Sequence, residues 1–297
     1  MSVFPITFSI PKEKIINHYP ENKTKILSSL IPGKMETYIY QKENDYYQEY
    51  QSSFFAMTFK KGGWDCMRHY EIIANGAIPF FPNIEQCPPR TMVAFPKHLV
   101  LQGNQLYDKF KNASVDDPEL KESTKALSLE FLNYTRENLT CEKVAQYILD
   151  VTQHTEVKNI LFLSGSTNPD YLRCLTLIGF KKIFGTQCHD FPKIDHIYKN
   201  FENDMSNFHG RGFTLSKIIE PDLYNSSIEN DQIEEMIQQK AFDLIIYGSY
   251  HRGMPFWKLV CQMYDPKDVV LLCGEDLHPC NHKIFTTHGY NVFVREQ

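Results

Sequence analysis

Asn159-Ile-Leu-Phe-Leu-Ser164 runs into the turn Gly165-Ser-Thr-Asn168 and then into a helical pattern over Tyr171–Ile178. Four apolar residues without polar alternation describe a strand buried on both faces. Downstream the same rhythm repeats. Gly179 and a strand at Lys182–Phe184 are followed by a helix at Ile233–Gln239, a strand at Leu244–Tyr247, a helix at Phe256–Met263, a strand at Val269–Cys273 and a last strand at Val292–Val294. Apolar runs separated by amphipathic helices predict a parallel sheet covered on both sides, so residues 153–297 read as a Rossmann-like, doubly wound α/β domain.

Residues 1–152 read as a second α/β domain with a helical C-terminal part. Strands are expected at Ile6–Ile10, Thr37–Tyr40, Phe54–Phe59 and Ile78–Phe81. Asp65–Asn75 is apolar at Met67, Tyr70, Ile72, Ile73 and Ala74 and meets Gly76, which describes a helix ended by a glycine. Residues 104–152 look helical, with a run from Ser123 and a cap at Thr140-Cys-Glu-Lys143. Sheets of this kind bind ligands beyond the carboxyl ends of their strands, so two such domains facing a central cleft place the site between them.

Composition narrows the classes. The chain has 297 residues, enough for two domains, and 36 Asp+Glu against 31 Lys+Arg. That balance excludes a protein that holds nucleic acid by bulk electrostatics. Eight cysteines are scattered without a C-x-x-C pair, which predicts reduced, mostly buried thiols. The N-terminal stretch lacks a basic leader, and no apolar run approaches the roughly 18 residues of a transmembrane segment. The expectation is a cytoplasmic chain whose five N-x-S/T sequons arose by chance.

The densest chemistry is Lys60-Lys-Gly-Gly-Trp-Asp-Cys-Met-Arg-His-Tyr-Glu71. Lys60 and Lys61 lead into the Gly62-Gly63 turn, which lets backbone N–H groups approach a ligand, and a helix starts at Trp64 or Asp65. Asp65, Arg68 and Glu71 share one face of that helix. Arg68 offers a fork of donors to a phosphate, and Glu71 can accept two hydroxyl hydrogen bonds from a ribose. The bland alternative is a solvated turn with a surface Arg–Glu pair. Cys66 sits near His69 at the helix start, but a buried core thiol is the simpler reading.

Arg68-His-Tyr-Glu71-Ile-Ile-Ala-Asn-Gly76-Ala-Ile-Pro79 resembles the signature of exostosin-like glycosyltransferases. Arg68, Glu71, Gly76, Ile78 and Pro79 match it, and Ala77 stands where the family has Cys. The wider Lys60–Cys66 run is similar to a branch found in large DNA viruses and protists, which implies a viral glycan-building enzyme in the host cytoplasm. The resemblance covers about residues 50–100. It implies a GT-B fold and transfer of a sugar from a nucleotide-diphosphate sugar, a UDP-sugar by family habit, to a glycan hydroxyl with inversion. Family members carry the motif in their C-terminal half, so here the donor half (1–152) would precede the acceptor half (153–297), in permuted order.

Within that resemblance the donor site gathers Lys60, Lys61, Gly62, Gly63, Trp64, Asp65, Arg68 and Glu71. Ser9 and Lys12 would border the sugar or diphosphate, and Tyr47, with Tyr46 and Tyr50, would pack on the uracil or ribose. A catalytic base is expected from loops of the second half. Three sets offer one: Cys188-His189-Asp190, Tyr250-His251-Arg252 and Glu275-Asp276-Leu-His278. Asp190 or His189 is favoured, then Asp276 and His278. No metal or other cofactor is expected, since helix start and cations meet the charge, Asp-x-Asp is absent, and the string His278-Pro-Cys280-Asn-His282 has poor zinc spacing. A Rossmann methyltransferase acting on glycans at Phe162-Leu-Ser-Gly-Ser-Thr167, and a non-catalytic sugar-binding module, are the alternatives.

Overall fold

A computed structural model of the chain describes residues 3–276 and 280–297. The first part contains β1 (Val3–Pro5), β2 (Lys25–Leu27), α1 (Glu43–Gln51), β3 (Ser53–Met57), α2 (Met67–Ala74) and β4 (Ile78–Phe80). Three helices follow: α3 (Lys97–Phe110), α4 (Pro118–Asn138) and α5 (Cys141–Thr152). Then come β5 (Ile160–Leu163), α6 (Tyr171–Phe184), β6 (Cys188–Phe191), α7 (Ile233–Gln238), β7 (Leu244–Tyr247), α8 (Trp257–Met263), β8 (Val269–Cys273), α9 (His282–Thr286) and β9 (Asn291–Val294).

The larger sheet has the order β1-β9-β8-β7-β5-β6, with every neighbouring pair parallel. From β5 the chain steps outward to β6 and then crosses back to β7, β8 and β9. That reversal is the doubly wound pattern, with its switch point between β5 and β7. Strand periodicity divides the core. Ile160 and Phe162 of β5 join the cluster that holds Val144, Ile148, Leu175 and Ile178 of α5 and α6. Leu161 and Leu163 join the cluster of Ile233, Ile237 and Val260 from α7 and α8. All four β5 side chains are fully buried, each worth about 1.5–3 kcal/mol against exposure.

The smaller sheet is β2-β3-β4, parallel and in chain order. The chain leaves for this unit and returns from it through paired segments. Ile10 N–H donates to Leu139 O at 2.9 Å and Cys141 N–H to Ile10 O at 3.2 Å. β1, which sequence reading groups with residues 1–152, is an edge strand of the larger sheet, and α5 packs against α6.

Several local expectations change. The predicted strand Lys182–Phe184 is the last turn of α6. Gly179 does not end this helix. A Cβ there would overlap the Cys141 carbonyl, so the glycine permits close packing of α5. The next strand is Cys188–Phe191, a segment expected to be a loop. Ile6–Ile10 is buried but not a strand: Ile6 N–H still donates to Val294 O at 3.2 Å, but Phe8 N–H turns to Asp65 Oδ2 at 2.7 Å. Thr37–Tyr40 falls on a 3-10 turn over Met35–Thr37, and α4 begins before Ser123, capped by the Asp117 carboxylate on the Glu119 and Leu120 amides. Cys273 and Cys280 form a disulfide, their Cα atoms 6.3 Å apart, so the all-thiol expectation fails for this pair; the other six are free. Their sequence separation of seven does not announce the pairing. Among the described residues no helix is long and apolar enough to cross a membrane.

Candidate functional site

The start of α2 faces a cavity of about 450 Å³ lined from both sheet units. All eight residues of α2 are buried, so its polar side chains need internal partners. Arg68 is 8% exposed. Its Nε donates to Thr58 Oγ1 at 3.2 Å and its Nη1 to Tyr38 OH at 3.1 Å. Nη2 is buried without a hydrogen-bond partner among the described residues. A buried guanidinium N–H without an acceptor is costly, so this donor is unsatisfied within the described residues.

One turn on, Glu71 is occupied. Its Oε1 accepts from Thr214 Oγ1 at 2.5 Å and its Oε2 from Tyr46 OH at 2.7 Å. Burial raises its pKa, against the pull of those hydrogen bonds and of Arg68. Thr214 belongs to a strap, residues 199–217, that leaves the larger sheet and lies across to α1 and α2. The strap's ends are tied at Tyr198 and Ile219, and Thr214 N–H donates to Glu43 Oε1 at 2.6 Å. Thr214 has φ +73°, a conformation that a β-branched residue adopts only under constraint. Thr214→Val should therefore cost about 2 kcal/mol, by leaving Glu71 short of a donor. Thr214→Gly loses the same hydroxyl but sheds the backbone strain, so its loss in urea denaturation should be about 1 kcal/mol smaller. A larger loss for the glycine variant would contradict the strain argument.

The Gly62-Gly63 turn is used differently from expectation. Trp64 N–H and Asp65 N–H donate to the Glu296 carboxylate at 3.1 and 2.9 Å. A Cβ on Gly63 would overlap Glu296 and come within 3.0 Å of Asp276 Oδ1. The turn is glycine so that the C-terminal residues can press on it, and these two amides serve an internal anion. Asp65 is buried, accepting from Phe8 N–H and from Tyr70 OH at 2.8 Å. Burial pushes its pKa up to about 6, with Arg295 pulling the other way.

His69 sits behind the wall, Nδ1 2.8 Å from Thr58 Oγ1 and Nε2 2.8 Å from Trp64 O. Burial, then the Arg68 charge, lowers its pKa to about 3. Unfolded, it takes up a proton near pH 6.5. The unfolded state thus binds more protons between these values, and stability falls as pH drops from about 6.5 towards 3. His69→Gln should flatten that fall by up to about 1.4 kcal/mol per pH unit, read from urea midpoints across the window. An unchanged slope would refute a buried, neutral His69.

Of the expected donor residues, Lys61, Gly62, Gly63, Asp65, Arg68 and Glu71 line the cavity. Five others do not. Ser9 is buried against Cys141 Sγ, Lys12 is exposed on a short 3-10 turn, and Tyr47 is buried with its OH 2.6 Å from Thr214 Oγ1. Lys60 lies 5.3 Å above the Trp64 ring, and Trp64 itself stacks on Phe81. Among the expected bases that the structure describes, only Asp276 lines the cavity, held by Arg295. Asp190 is a fully buried partner of Lys181 at 2.9 Å and of Tyr198 OH at 2.8 Å. His189 is buried in β6 with its pKa lowered to about 4, chiefly by burial. Both belong to a strand, not to the strand-end loop that was expected, and neither reaches the cavity. His278 lies outside the described residues.

The strap supplies what sequence reading missed: Phe208, His209, Gly210, Arg211 and Phe213 all line the cavity. His209-Gly-Arg-Gly212, a glycine-spaced histidine and arginine outside any periodic segment, was the available signal. Among the described residues no group of three or more His, Cys, Asp or Glu side chains is placed to hold a metal ion. No protein-family model matches the chain, and no curated protein matches its sequence significantly.

Proposed function

We propose that the chain is a glycosyltransferase that takes a sugar from a nucleotide-diphosphate sugar, a UDP-sugar, and passes it to a glycan hydroxyl with inversion. The observation that carries this reading is the buried, idle Nη2 of Arg68 in the wall of a cavity of about 450 Å³. Arg68 and Lys61 would meet the diphosphate, whose negative charge grows as it leaves the anomeric carbon. Cations of the chain, rather than a cofactor, do this in the proposed reaction. Tyr38, Tyr40 and Tyr46 line the same cavity and give flat apolar surface for a base and ribose. In this reading the two units act as the halves of a permuted GT-B enzyme, the donor half being the one that carries α2.

The methyltransferase alternative is disfavoured by the end of β5. A Cβ on Gly165 would overlap the Arg252–Gly253 backbone, so the two loops close over the switch point. Arg252 Nε pairs there with Asp170 Oδ2 at 2.9 Å, and His251 Nε2 lies 2.9 Å from Glu275 Oε1. Thermal stabilisation by UDP or GDP, and none by S-adenosylmethionine, is the expected result. Stabilisation by S-adenosylmethionine alone would sink the reading.

A further inference from the structure

We infer that His209 is the general base of the cavity, the group that takes the proton from the attacking hydroxyl. This rests on the glycosyl-transfer reading and adds a residue to it.

Three carboxylates and one imidazole line the cavity: Asp65, Glu71, Asp276 and His209. Three are committed. Asp65 accepts from Phe8 N–H and Tyr70 OH, Glu71 from Thr214 and Tyr46, and Asp276 from Arg295. Internal donors hold both oxygens of Asp65 and of Glu71, and a guanidinium holds one of Asp276, which turns them from an incoming hydroxyl. The cavity tyrosines are worse, since burial raises Tyr46 and Tyr171 above the ordinary phenol range. The His209 imidazole makes no hydrogen bond or ion pair with any described residue, and it is exposed to the cavity mouth.

Its position is fixed by the backbone. Gly210, Arg211 and Gly212 have φ of +57°, +55° and +68°, three left-handed residues in succession. A Cβ on Gly210 would overlap the Tyr171 hydroxyl, so the turn is pressed against α6. The His209 ring stands edge-on to the Tyr171 ring, centroids 6.1 Å apart. The imidazole thus reaches the cavity from a strap of the larger unit, while Arg68 reaches it from the smaller one.

In the step assigned to it, an imidazole nitrogen accepts the acceptor's hydroxyl proton. The oxygen's electron pair then forms the bond to the anomeric carbon, and the bond from that carbon to the diphosphate oxygen breaks, its pair leaving with UDP. Water can stand in for the acceptor, giving free sugar and UDP.

The test measures hydrolysis of UDP-glucose, UDP-galactose, UDP-xylose and UDP-glucuronate by wild type, His209→Ala and His209→Gln, with UDP affinity determined alongside. Both variants should bind UDP within about twofold of wild type and lose about 100-fold or more in kcat. Added imidazole should restore turnover to His209→Ala, a response that a purely structural histidine would not give. Unchanged kcat in His209→Ala, loss without imidazole rescue, or a wild type that binds UDP but cleaves no donor would each overturn the assignment. Failure of wild type to bind UDP removes the parent reading, and with it the base.

Discussion

Arg68→Ala should lower the affinity for UDP by about 100-fold, because truncating one partner of a buried charge pair costs about 2–5 kcal/mol and each 1.4 kcal/mol is tenfold. The loss has to be separated from damage to the fold, since Arg68 also donates to Thr58 and Tyr38. Arg68→Lys provides the control. It keeps a charge and a stem of similar length but loses the fork that can engage two phosphate oxygens. It should fold with a melting temperature close to that of wild type and still bind UDP markedly more weakly. Calorimetric titration of both variants decides the matter. Wild-type affinity for UDP in Arg68→Ala would remove the donor site from this cavity.

The largest loss of stability is expected at Arg295. Its side chain is fully buried. It meets Glu296 Oε1 at 2.7 Å, Asp65 O at 2.6 Å, Gly274 O at 2.9 Å and the Asp276 carboxylate, with its guanidinium 4.5 Å above the Phe8 ring. One residue of β9's extension therefore ties the turn before α2 to the loop after β8. Arg295→Ala strands carboxylates and carbonyls that no other cation replaces, a change that costs about 3–5 kcal/mol. Adding Asp276→Asn and Glu296→Gln to Arg295→Met should recover part of that loss, because the stranded charges go with the arginine. Urea denaturation of the four proteins tests both statements. A single variant within about 1 kcal/mol of wild type would mean that the clasp carries little of the fold.

Strands with one possible environment were legible. Leu244–Tyr247 and Val269–Cys273 are apolar throughout, and a run of that kind fits only between two helical layers. Helix α1 was not, because the face it buries is Tyr46, Tyr47, Glu49 and Tyr50, too polar for the usual apolar stripe. Gly179 misled for a different reason. Glycine marks both helix ends and close helix contacts, and only the neighbour, Cys141, distinguishes them. At the site, Arg68 and Glu71 were legible from helical spacing and from a motif. Their partners were not: Thr214 lies 143 residues from Glu71, and Glu296 lies 231 from Asp65. No local pattern encodes such a meeting. It follows from where the sheet sends the chain.

The pairing of β1 with β9 governs the order in which this protein can be made. Phe4 lies opposite Phe293 in a parallel ladder, so β1 meets its neighbour only after 289 further residues have been made. Until then the apolar strand Val3–Pro5 travels as an unsatisfied edge. The smaller unit, bounded by the Ile10–Thr140 bridge, can close on local and mid-range contacts during synthesis, while the sheet that flanks it waits for β9. Long sequence separation slows folding, and unpaired apolar edges invite aggregation. Yield in the cell should thus be set by how soon β9 follows β1.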